Sequence, residues 1–249
     1  MTDQDAGPTK MQTEPKVSLI LPCYNEEEGV AAVLQRTPDA VDEVVVVDNN
    51  CTDDTARVAR EQGARVVRQP VQGYGASYKK GFEAARGDVL ITLDADGTYP
   101  IESIPEFLRI LEEDELDFIT VQRRPEKARG VVEWIRFSGN VVLNLATWAL
   151  FGVRLADSQS GMWVFRKSIF ERFGLCSDGM ALSEEIKIRA FTHPALRCRE
   201  VAGAYRNTRV GESKLNVFGD GFDNLLFLFQ LRSSRNGSFG DHSGEERHG

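Results

Sequence analysis

The chain has 249 residues, of which 41% are hydrophobic and 27% are charged. This length is enough for one large α/β domain with a sizeable core. The 38 acidic and 30 basic residues give a net charge of −8, which disfavours a protein that acts by coating nucleic acid. The only histidines are His193, His242 and His248, so a multi-histidine metal site is excluded and a catalytic triad would depend on His193 alone.

The termini and the cysteines indicate a single intracellular domain. Residues 1–15 and 233–249 are polar and are predicted to be disordered, which leaves one domain at 16–232. The N-terminus has no apolar segment of the kind found in secretory signals. The four cysteines show no CxxC spacing, which argues against a zinc ribbon or a thioredoxin motif. The simplest prediction is a cytoplasmic protein with reduced thiols.

The first half of the domain alternates strand and helix patterns. Strands are predicted at 17–21, 43–48, 65–68, 89–93 and 117–121, and helices at 26–36, 52–62, 75–86 and 103–112. Residues 43–48, EVVVVD, are apolar on both faces, as in a buried parallel strand. Thr52 or Asp53 is the predicted N-cap of the helix that follows. This order predicts an α/β protein with a mostly parallel sheet and helices on both faces.

Polar loops follow the first, second and fourth predicted strands. They read PCYNE at 22–26, DNNCTD at 48–53 and DADG at 94–97. Asp and Asn also cap helices and begin turns, which would explain any one of these loops. Ligands bind beyond the carboxyl ends of parallel strands. Three such loops at one edge of the sheet therefore favour a binding site.

The DADG loop has the chemistry of a divalent-cation site. Asp94 and Asp96 are two residues apart and project to the same side of an extended segment. A hard cation takes oxygen ligands and usually keeps water and phosphate oxygens as well. Two carboxylates are then sufficient, and the metal would neutralise charge on a leaving nucleoside diphosphate. The sequence has no GxxxxGK[ST] motif and no GxGxxG after a strand, the alternative devices for binding phosphates.

Six segments together resemble the GT-A family 2 glycosyltransferases, and within them the dolichyl- or polyprenyl-phosphate sugar synthases. The segments are LPCYNEE (21–27), VVDNNCTDDT (46–55), GYGASYKKGFEAARGD (73–88), LDADGTYP (93–100), DSQSGMWVFRK (157–167) and RNTRVGESKL (206–215). The resemblance runs over roughly residues 16–231. It implies a Rossmann-like GT-A fold and an inverting transfer of a hexose, from UDP-glucose or GDP-mannose, to a polyprenyl or dolichyl phosphate. It also implies Mg²⁺ or Mn²⁺ as the cofactor.

The resemblance also implies roles for individual residues. Asp94 and Asp96 would bind the metal and the donor diphosphate. The other donor-binding candidates are Pro22, Tyr24, Asn25, Glu26, Asp48, Asn50 and Ala95. Asp157, Gln159 and Glu184 are further catalytic candidates in the wall of the active site. An ionised acceptor phosphate attacks without a base, whereas a hydroxyl acceptor would require one, and Glu184 or Glu185 would supply it.

Basic residues in the second half are candidates for an acceptor-phosphate site. Arg123, Arg124, Lys127, Arg129 and Arg136 fall within one segment of an acidic protein. A solvated loop is one explanation, and guanidinium groups that clamp a lipid phosphate are the other. The resemblance favours Arg123 and Arg136, and it places a second set near the donor diphosphate or the acceptor phosphate. That set is Arg206, Arg209 and Lys214.

No stretch of 18 apolar residues is present, so no transmembrane helix is predicted. Residues 141–153 form the most apolar helix-length segment and suit a buried or interfacial helix. Phe218, Phe222, Leu225 and Phe229 share one face of a C-terminal amphipathic helix, which would pack on the core or lie in a membrane interface. Peripheral contact with the cytosolic face of the membrane, or a membrane partner protein, is therefore expected.

Three other functions are considered. The same transferase with a soluble or natural-product hydroxyl acceptor is the main alternative. A nucleotidyltransferase would show a Gly-rich, Arg-containing loop after the first strand, where this chain has PCYNE. A non-catalytic nucleotide-sugar-binding subunit would explain Asn49, where the family often has Asp, but both Asp94 and Asp96 are intact. The absence of Q-x-x-R-W argues against a processive polysaccharide synthase.

Overall fold

A single seven-stranded sheet forms the centre of the protein. The structure is a computed structural model and describes residues 16–125, 131–205, 210 and 217–237. The strands are β1 (Val17–Cys23), β2 (Glu43–Asp48), β3 (Arg65–Arg68), β4 (Val89–Thr92), β5 (Phe118–Pro125), β6 (Trp163–Arg166) and β7 (Cys198–Tyr205). They lie in the order β3-β2-β1-β4-β6-β5-β7. Strand β6 is antiparallel to β4 and β5, and the other neighbouring pairs are parallel.

Helices cover both faces of the sheet, as predicted. They are α1 (Glu27–Gln35), α2 (Thr55–Glu61), α3 (Tyr74–Ala84), α4 (Ile104–Glu113), α5 (Val131–Phe151), α6 (Phe170–Phe173), α7 (Leu182–Thr192) and α8 (Val217–Gly237). Alternate residues of β1 enter opposite cores: Leu19 packs on the side of α1, α2 and α4, and Ile20 packs on the side of α3, α6 and α7. Both faces of the strand are buried, which explains its unbroken apolar run.

The predicted order of strands and helices is confirmed as far as β5, and the differences have local causes. Helix α2 begins at Thr55, three residues after the predicted start. Thr52 instead donates its backbone N–H to Asn25 Oδ1 at 2.7 Å, and Asp53 Oδ1 accepts the N–H of Thr55 at 3.0 Å. These contacts keep residues 52–54 in a turn. Helix α8 continues to Gly237, past the predicted domain boundary at 232.

Helices α5, α7 and α8 form a third, smaller core. Leu143 of α5, Ile188 of α7, and Leu228 and Leu231 of α8 are buried against one another. The α8 face expected from the sequence is divided: Leu225 is partly buried against this core, whereas Phe222 and Phe229 are exposed. Among the described residues, no helix combines the length and the apolar character that a membrane span requires.

The path of the chain through the sheet creates a crevice beside β1. The chain moves outward from β1 to β2 and β3, and then places β4 on the opposite side of β1. Loops on either side of such a switch point diverge, and ligands of α/β proteins bind between them, beyond the carboxyl ends of the strands. Here the diverging loops follow Cys23 and Thr92, and the second of them leads to Asp94 and Asp96.

Candidate active site

A cavity of about 660 Å³ opens beyond the carboxyl ends of β1 and β4. Its walls come from the loops after β1, β2 and β4, from the beginning of α3, from the loop before α7 and from one side of α8. Six of the predicted donor-binding residues line it, namely Pro22, Tyr24, Glu26, Asp94, Ala95 and Asp96. The structure therefore brings the first and third polar loops together around one space.

Asp94 is held by two tyrosines of α3. The hydroxyl of Tyr78 donates to Asp94 Oδ1 at 3.2 Å, and the hydroxyl of Tyr74 donates to the same oxygen at 3.5 Å. Burial raises the pKa of both phenols, and the nearby carboxylate of Asp94 raises it further. Both hydroxyls are therefore protonated at neutral pH and act as donors to Asp94.

Asp96 is buried at the turn that follows, with 4% of its surface exposed. Its Oδ1 accepts hydrogen bonds from the Thr98 backbone N–H at 3.1 Å and from the Thr98 hydroxyl at 2.6 Å. Gly97 has a φ of +74°, which favours glycine. A Cβ at Gly29 would lie 2.2 Å from the Ala95 carbonyl oxygen, so α1 packs directly on this loop. The position of Asp96 is thus determined by close packing as well as by hydrogen bonds.

Polar side chains also connect the loops after β1 and β2. Asn25 adopts a positive φ of 53° and accepts the backbone N–H of Thr52 at 2.7 Å through its Oδ1. Asp48 Oδ1 accepts the N–H of Cys51 at 2.8 Å. Asn50 is exposed. None of the three predicted residues Asn25, Asp48 and Asn50 is among the described residues that line the cavity, and their donor-binding role stays a prediction.

Asn49 lines the cavity instead. Only 7% of its surface is exposed, and its Oδ1 accepts the backbone N–H of Gly73 at 2.9 Å. This bond joins the loop after β2 to the beginning of α3. An amide serves this role without adding a negative charge to the cavity.

A second wall of the cavity is formed by residues 176–181, which we call the wall loop. A Cβ at Gly75 would lie 2.5 Å from the Ser177 carbonyl oxygen, so the loop backbone packs against α3 where a side chain would not fit. Glu185 is fully buried and accepts the N–H of Ser177 at 2.8 Å and the Nε–H of Arg189 at 2.8 Å. It also accepts the N–H of Cys176 at 3.0 Å. Glu185 therefore holds the wall loop, and it does not line the cavity.

Asp157 and Arg123 form a partly buried ion pair outside the described lining of the cavity. Asp157 is 2% exposed; its two oxygens accept the Nε–H of Arg123 at 2.7 Å and the Nη2–H at 2.8 Å. Burial alone would raise the pKa of this carboxyl, but Arg123 and Lys187 lower it to about 2. Asp157 is therefore ionised, and it holds the guanidinium of Arg123 in one orientation.

Lys187 is a buried cation beneath this pair. Its Nζ donates to the carbonyl oxygens of Ser158 at 2.6 Å and Ser160 at 2.7 Å. Burial lowers the pKa of Lys187 to about 7, although Asp157 opposes the shift. By binding successive carbonyl groups, Lys187 fixes the backbone of the 157–160 segment, which carries two of the predicted catalytic residues.

The other predicted catalytic residues form a hydrogen-bonded chain that reaches α8. Gln159 Nε2 donates to Glu184 Oε1 at 2.7 Å, and Asn224 Nδ2 donates to Gln159 Oε1 at 3.0 Å. Glu184 is fully buried, and its Oε2 has no hydrogen-bond partner among the described residues. Burial raises the pKa of Glu184 to about 8, with Lys187 and the Gln159 hydrogen bond opposing the shift. Asn224 lines the cavity, whereas Gln159 and Glu184 lie behind it.

Four of the five residues predicted to bind the acceptor phosphate have side chains outside the described part of the structure. Arg206, Arg209 and Lys214 lie outside the described residues, and Arg136 lies in α5 at a position whose side chain is not described. Val210, which is described, donates its backbone N–H to the Asp96 carbonyl oxygen at 3.0 Å. The chain between β7 and α8 therefore contacts the Asp94–Asp96 loop at this residue.

The described lining of the cavity is rich in acidic side chains. Five carboxylates line it, from Glu26, Asp94, Asp96, Asp220 and Asp223, and none of the described lining residues is Lys, Arg or His. No three His, Cys, Asp or Glu residues within the described ranges form a cluster that could by itself hold a metal ion. Asp94 and Asp96 thus fit a cation that takes its remaining ligands from water and phosphate, and not a cage built from protein alone.

Three residues of the site, Tyr74, Tyr78 and Asn224, were not predicted from the sequence. Tyr74 and Tyr78 resemble ordinary core aromatics of an amphipathic helix, and only the fold shows that their hydroxyls meet Asp94. Asn224 had a detectable signal, because it shares a helical stripe with the buried residues Leu228 and Leu231. A lone amide on a buried stripe indicates a specific partner.

Comparison with known proteins identifies relatives along nearly the whole domain. Residues 18–174 match the family described as glycosyl transferase family 2. Dolichyl-phosphate hexose transferase of Haloferax volcanii is 33% identical over 211 residues, which are 82% of this chain and 89% of that protein. Undecaprenyl-phosphate 4-deoxy-4-formamido-L-arabinose transferase of Serratia proteamaculans is 28% identical, with 84% of this chain and 65% of that protein covered.

A third relative is longer than this chain. Low-salt glycan biosynthesis hexosyltransferase Agl6 of Haloferax volcanii is 30% identical over 224 residues, or 86% of this chain. The matched region spans 53% of that relative, about half of its length.

Solved structures show the same fold at lower sequence identity. Glucosyl-3-phosphoglycerate synthase of Mycobacterium tuberculosis, crystallised with Mn²⁺, uridine diphosphate and phosphoglyceric acid, superposes with a TM-score of 0.69 at 22% identity. The match covers 88% of this chain and 78% of that one. A complex of the same enzyme with Mg²⁺ and uridine diphosphate also gives a TM-score of 0.69. These similarities confirm the predicted GT-A fold.

Proposed function

Because the chain belongs to glycosyl transferase family 2 and is therefore a glycosyltransferase, we propose that it moves a hexose from a nucleotide sugar to a polyprenyl or dolichyl phosphate. The proposed donor is UDP-glucose or GDP-mannose, and the proposed cofactor is Mg²⁺ or Mn²⁺. The transfer inverts the anomeric carbon. The enzyme works at the cytosolic face of a membrane, which it contacts peripherally.

The observation that carries this proposal is the acidic cavity at the carboxyl ends of β1 and β4. Asp94 and Asp96 present carboxylate oxygens in this cavity, and such oxygens are the ligands that a hard divalent cation prefers. A cation held by Asp94 and Asp96 would also attract the diphosphate of the donor. The names of two relatives support the acceptor, since one is a dolichyl-phosphate and the other an undecaprenyl-phosphate sugar transferase.

In the proposed reaction, a phosphate oxygen of the acceptor attacks the anomeric carbon on the side opposite the leaving diphosphate. The new C–O bond forms as the bond to the diphosphate breaks, which inverts the centre. A divalent metal, when bound, neutralises charge that develops on the leaving group. Asp94 and Asp96 would hold that metal, while Pro22, Tyr24 and Glu26, which line the cavity, would contact the nucleoside.

The protein's other residues act by positioning. Asp157 keeps the guanidinium of Arg123 in a fixed orientation, and we propose that this guanidinium contributes to the acceptor-phosphate site. The raised pKa of Glu184, about 8, keeps its carboxyl largely protonated at neutral pH. An acceptor phosphate, which is already ionised, suits a site without an ionised base at this position.

The proposed membrane contact is the exposed surface of α5 and α8, which we call the apolar face. Its members are Val141, Val142, Leu145, Trp148, Phe222, Leu226 and Phe229, each at least 43% exposed. Leu226 also lines the cavity, so the apolar face reaches the active-site opening. A bilayer is the occupant we propose, because the lipid acceptor named for the relatives presents its phosphate at a membrane surface while its chain remains among the lipids.

Transfer of labelled sugar into an organic phase tests the reaction. The protein, a short polyprenyl phosphate and Mg²⁺ or Mn²⁺ are incubated with UDP-glucose or GDP-mannose, beside an Asp96→Asn control. We expect metal-dependent lipid label from one donor and a loss of at least 100-fold in the control. Donor hydrolysis without lipid label would favour a soluble hydroxyl acceptor. Donor binding without turnover would favour a non-catalytic subunit.

Sedimentation with protein-free vesicles tests the membrane contact. Replacing Phe222 and Phe229 with Ser removes two large side chains that would each gain about 1.5–3 kcal/mol on burial, so the double variant should bind at least tenfold more weakly. Val71→Ser is the matched control, since Val71 is 72% exposed but lies on neither α5 nor α8. Failure of the unaltered protein to bind such vesicles would contradict direct contact and favour a membrane partner protein.

A further inference from the structure

We propose that Tyr78 is a positioning residue for Asp94, whose carboxylate its hydroxyl holds in the orientation needed to bind a divalent cation. The inference rests on the proposed function, since it assumes that a cation binds at Asp94 and Asp96. It concerns a residue that lies outside the cavity lining and has the sequence context of an ordinary core aromatic.

The ring of Tyr78 is anchored in the core. It is fully buried on α3 and packs against Trp163 with ring centroids 5.1 Å apart, and against Phe82 at 6.0 Å. The hydroxyl at the end of this ring donates to Asp94 Oδ1 at 3.2 Å. The Gly161 carbonyl oxygen lies 3.4 Å away on another side. A rigid ring that is fixed by its neighbours therefore delivers one donor to one carboxylate oxygen.

The packing alone does not require a hydroxyl at this position. A phenylalanine would fill the same space among the neighbouring rings, and burying a phenol without a partner is unfavourable. The buried hydroxyl is tolerated because Asp94 Oδ1 and the Gly161 carbonyl oxygen both lie within hydrogen-bond distance of it. The Asp94 carboxylate belongs to the residue pair with the strongest metal-binding signature in the sequence.

The surroundings restrict Asp94 to this arrangement. Tyr74 lies one helical turn before Tyr78 and places a second hydroxyl 3.5 Å from the same oxygen. Gly161 faces both groups, and a Cβ there would lie 2.6 Å from the Tyr74 hydroxyl and 3.2 Å from Asp94 Oδ1. Hydrogen-bonded partners of metal ligands orient those ligands, and their removal commonly weakens metal binding by about 10–100-fold.

Binding of Mn²⁺, measured by electron paramagnetic resonance in the presence of uridine diphosphate, tests the inference without depending on activity. We expect Tyr78→Phe to raise the Kd for Mn²⁺ about tenfold or more. Tyr74→Phe, whose hydroxyl is farther from Asp94, should produce a smaller increase. Thr92→Val is the matched control, because it removes a buried hydroxyl whose hydrogen bonds go to Gly161 and Trp163.

The outcomes separate this inference from the proposed function. If Asp94→Asn binds Mn²⁺ as tightly as the unaltered protein, the metal site itself is misplaced and the proposed function loses its support. If Asp94→Asn loses binding while Tyr78→Phe and Tyr74→Phe both stay within twofold of the unaltered protein, the positioning role of Tyr78 is overturned. An equal loss in Thr92→Val would show that general loosening of the core, and not the hydroxyl on Asp94, sets the affinity. Failure of Tyr78→Phe to fold would contradict the premise that the packing does not require the hydroxyl, and would also overturn the inference.

Discussion

Replacing Glu184 with Gln should make the stability of the protein less sensitive to pH. Glu184 is fully buried, and one carboxylate oxygen has no hydrogen-bond partner among the described residues. A buried carboxylate in this situation is costly, so the folded protein prefers the protonated acid. Gln has nearly the same shape, keeps the oxygen that accepts from Gln159, and stays neutral at every pH.

The sign and size of the effect follow from the raised pKa of Glu184. Its value is about 8 in the folded protein against an ordinary 4.5. Below pH 4.5 both folded and unfolded chains carry the proton, and the full stability is present. As pH rises towards 8, the unfolded chain loses the proton first, so the free energy of unfolding falls. The loss approaches about 1.4 kcal/mol per pH unit in the middle of this range and is smaller near each of the two pKa values, so it amounts to about 3 kcal/mol between pH 5 and pH 8.

Urea unfolding of both proteins between pH 5 and pH 8 measures this difference. We expect Glu184→Gln to match the unaltered protein near pH 5 and to exceed its free energy of unfolding by about 3 kcal/mol near pH 8. Lys187 is present in both proteins, and its lowered pKa acts in the opposite direction above pH 7. The difference between the two proteins at each pH therefore reports Glu184 together with its electrostatic coupling to Lys187.

Two results would refute the reasoning. Parallel pH profiles for the two proteins would mean that Glu184 is ionised in the folded state, and that its burial is relieved by a group not considered above. A loss of stability at pH 5 would mean that the carboxyl makes a specific contact that an amide does not reproduce. Transfer to a polyprenyl phosphate should persist in Glu184→Gln, whereas transfer to a hydroxyl acceptor through Glu184 would be abolished.

Three further variants test the supports of the site. Asp157→Asn should lower the free energy of unfolding by about 2–3 kcal/mol in urea titrations at pH 7, because it removes the buried carboxylate that pairs with the guanidinium of Arg123; a change within experimental error would contradict this. Gly75→Ala should weaken donor binding in calorimetry by pushing the wall-loop carbonyls away, whereas Gly179→Ala, whose Cβ meets no described atom within 4 Å, should not. Glu185→Gln should speed the reaction of the exposed Cys176 with a thiol reagent, since burial and then Glu185 raise the pKa of that thiol; an unchanged rate would count against this role.

The regular half of the fold was predictable because its signals are local. Strand β2 is a β-branched run buried on both faces, and the polar loop that follows it marks the carboxyl edge of the sheet. Asp94 and Asp96 were identified for the same reason, since two carboxylates at alternate positions after an apolar strand carry their own chemical meaning. Both were found to line the cavity.

The second half was less predictable because its contacts are distant in sequence. Strand β6, WVFR, pairs antiparallel with β4 and β5, and its four residues give no period that distinguishes strand from helix. The sequence also could not show that Arg123 is bound by Asp157, 34 residues away, or that Glu185 holds the wall loop. The sequence does not show whether a charged residue contacts a ligand, another side chain or solvent.

The sequence by itself determined the fold class, the edge of the sheet at which the cavity opens and two of the carboxylates that line it, because apolar periodicity and residue spacing are properties of neighbouring residues. Only the tertiary structure decided which of two adjacent glutamates supports the wall loop and which lies in a buried hydrogen-bonded chain. It also brought the hydroxyl of Tyr78 to Asp94, 16 residues along the chain. Burial and hydrogen-bond geometry depend on how helices and strands pack, and packing joins residues that no local pattern connects.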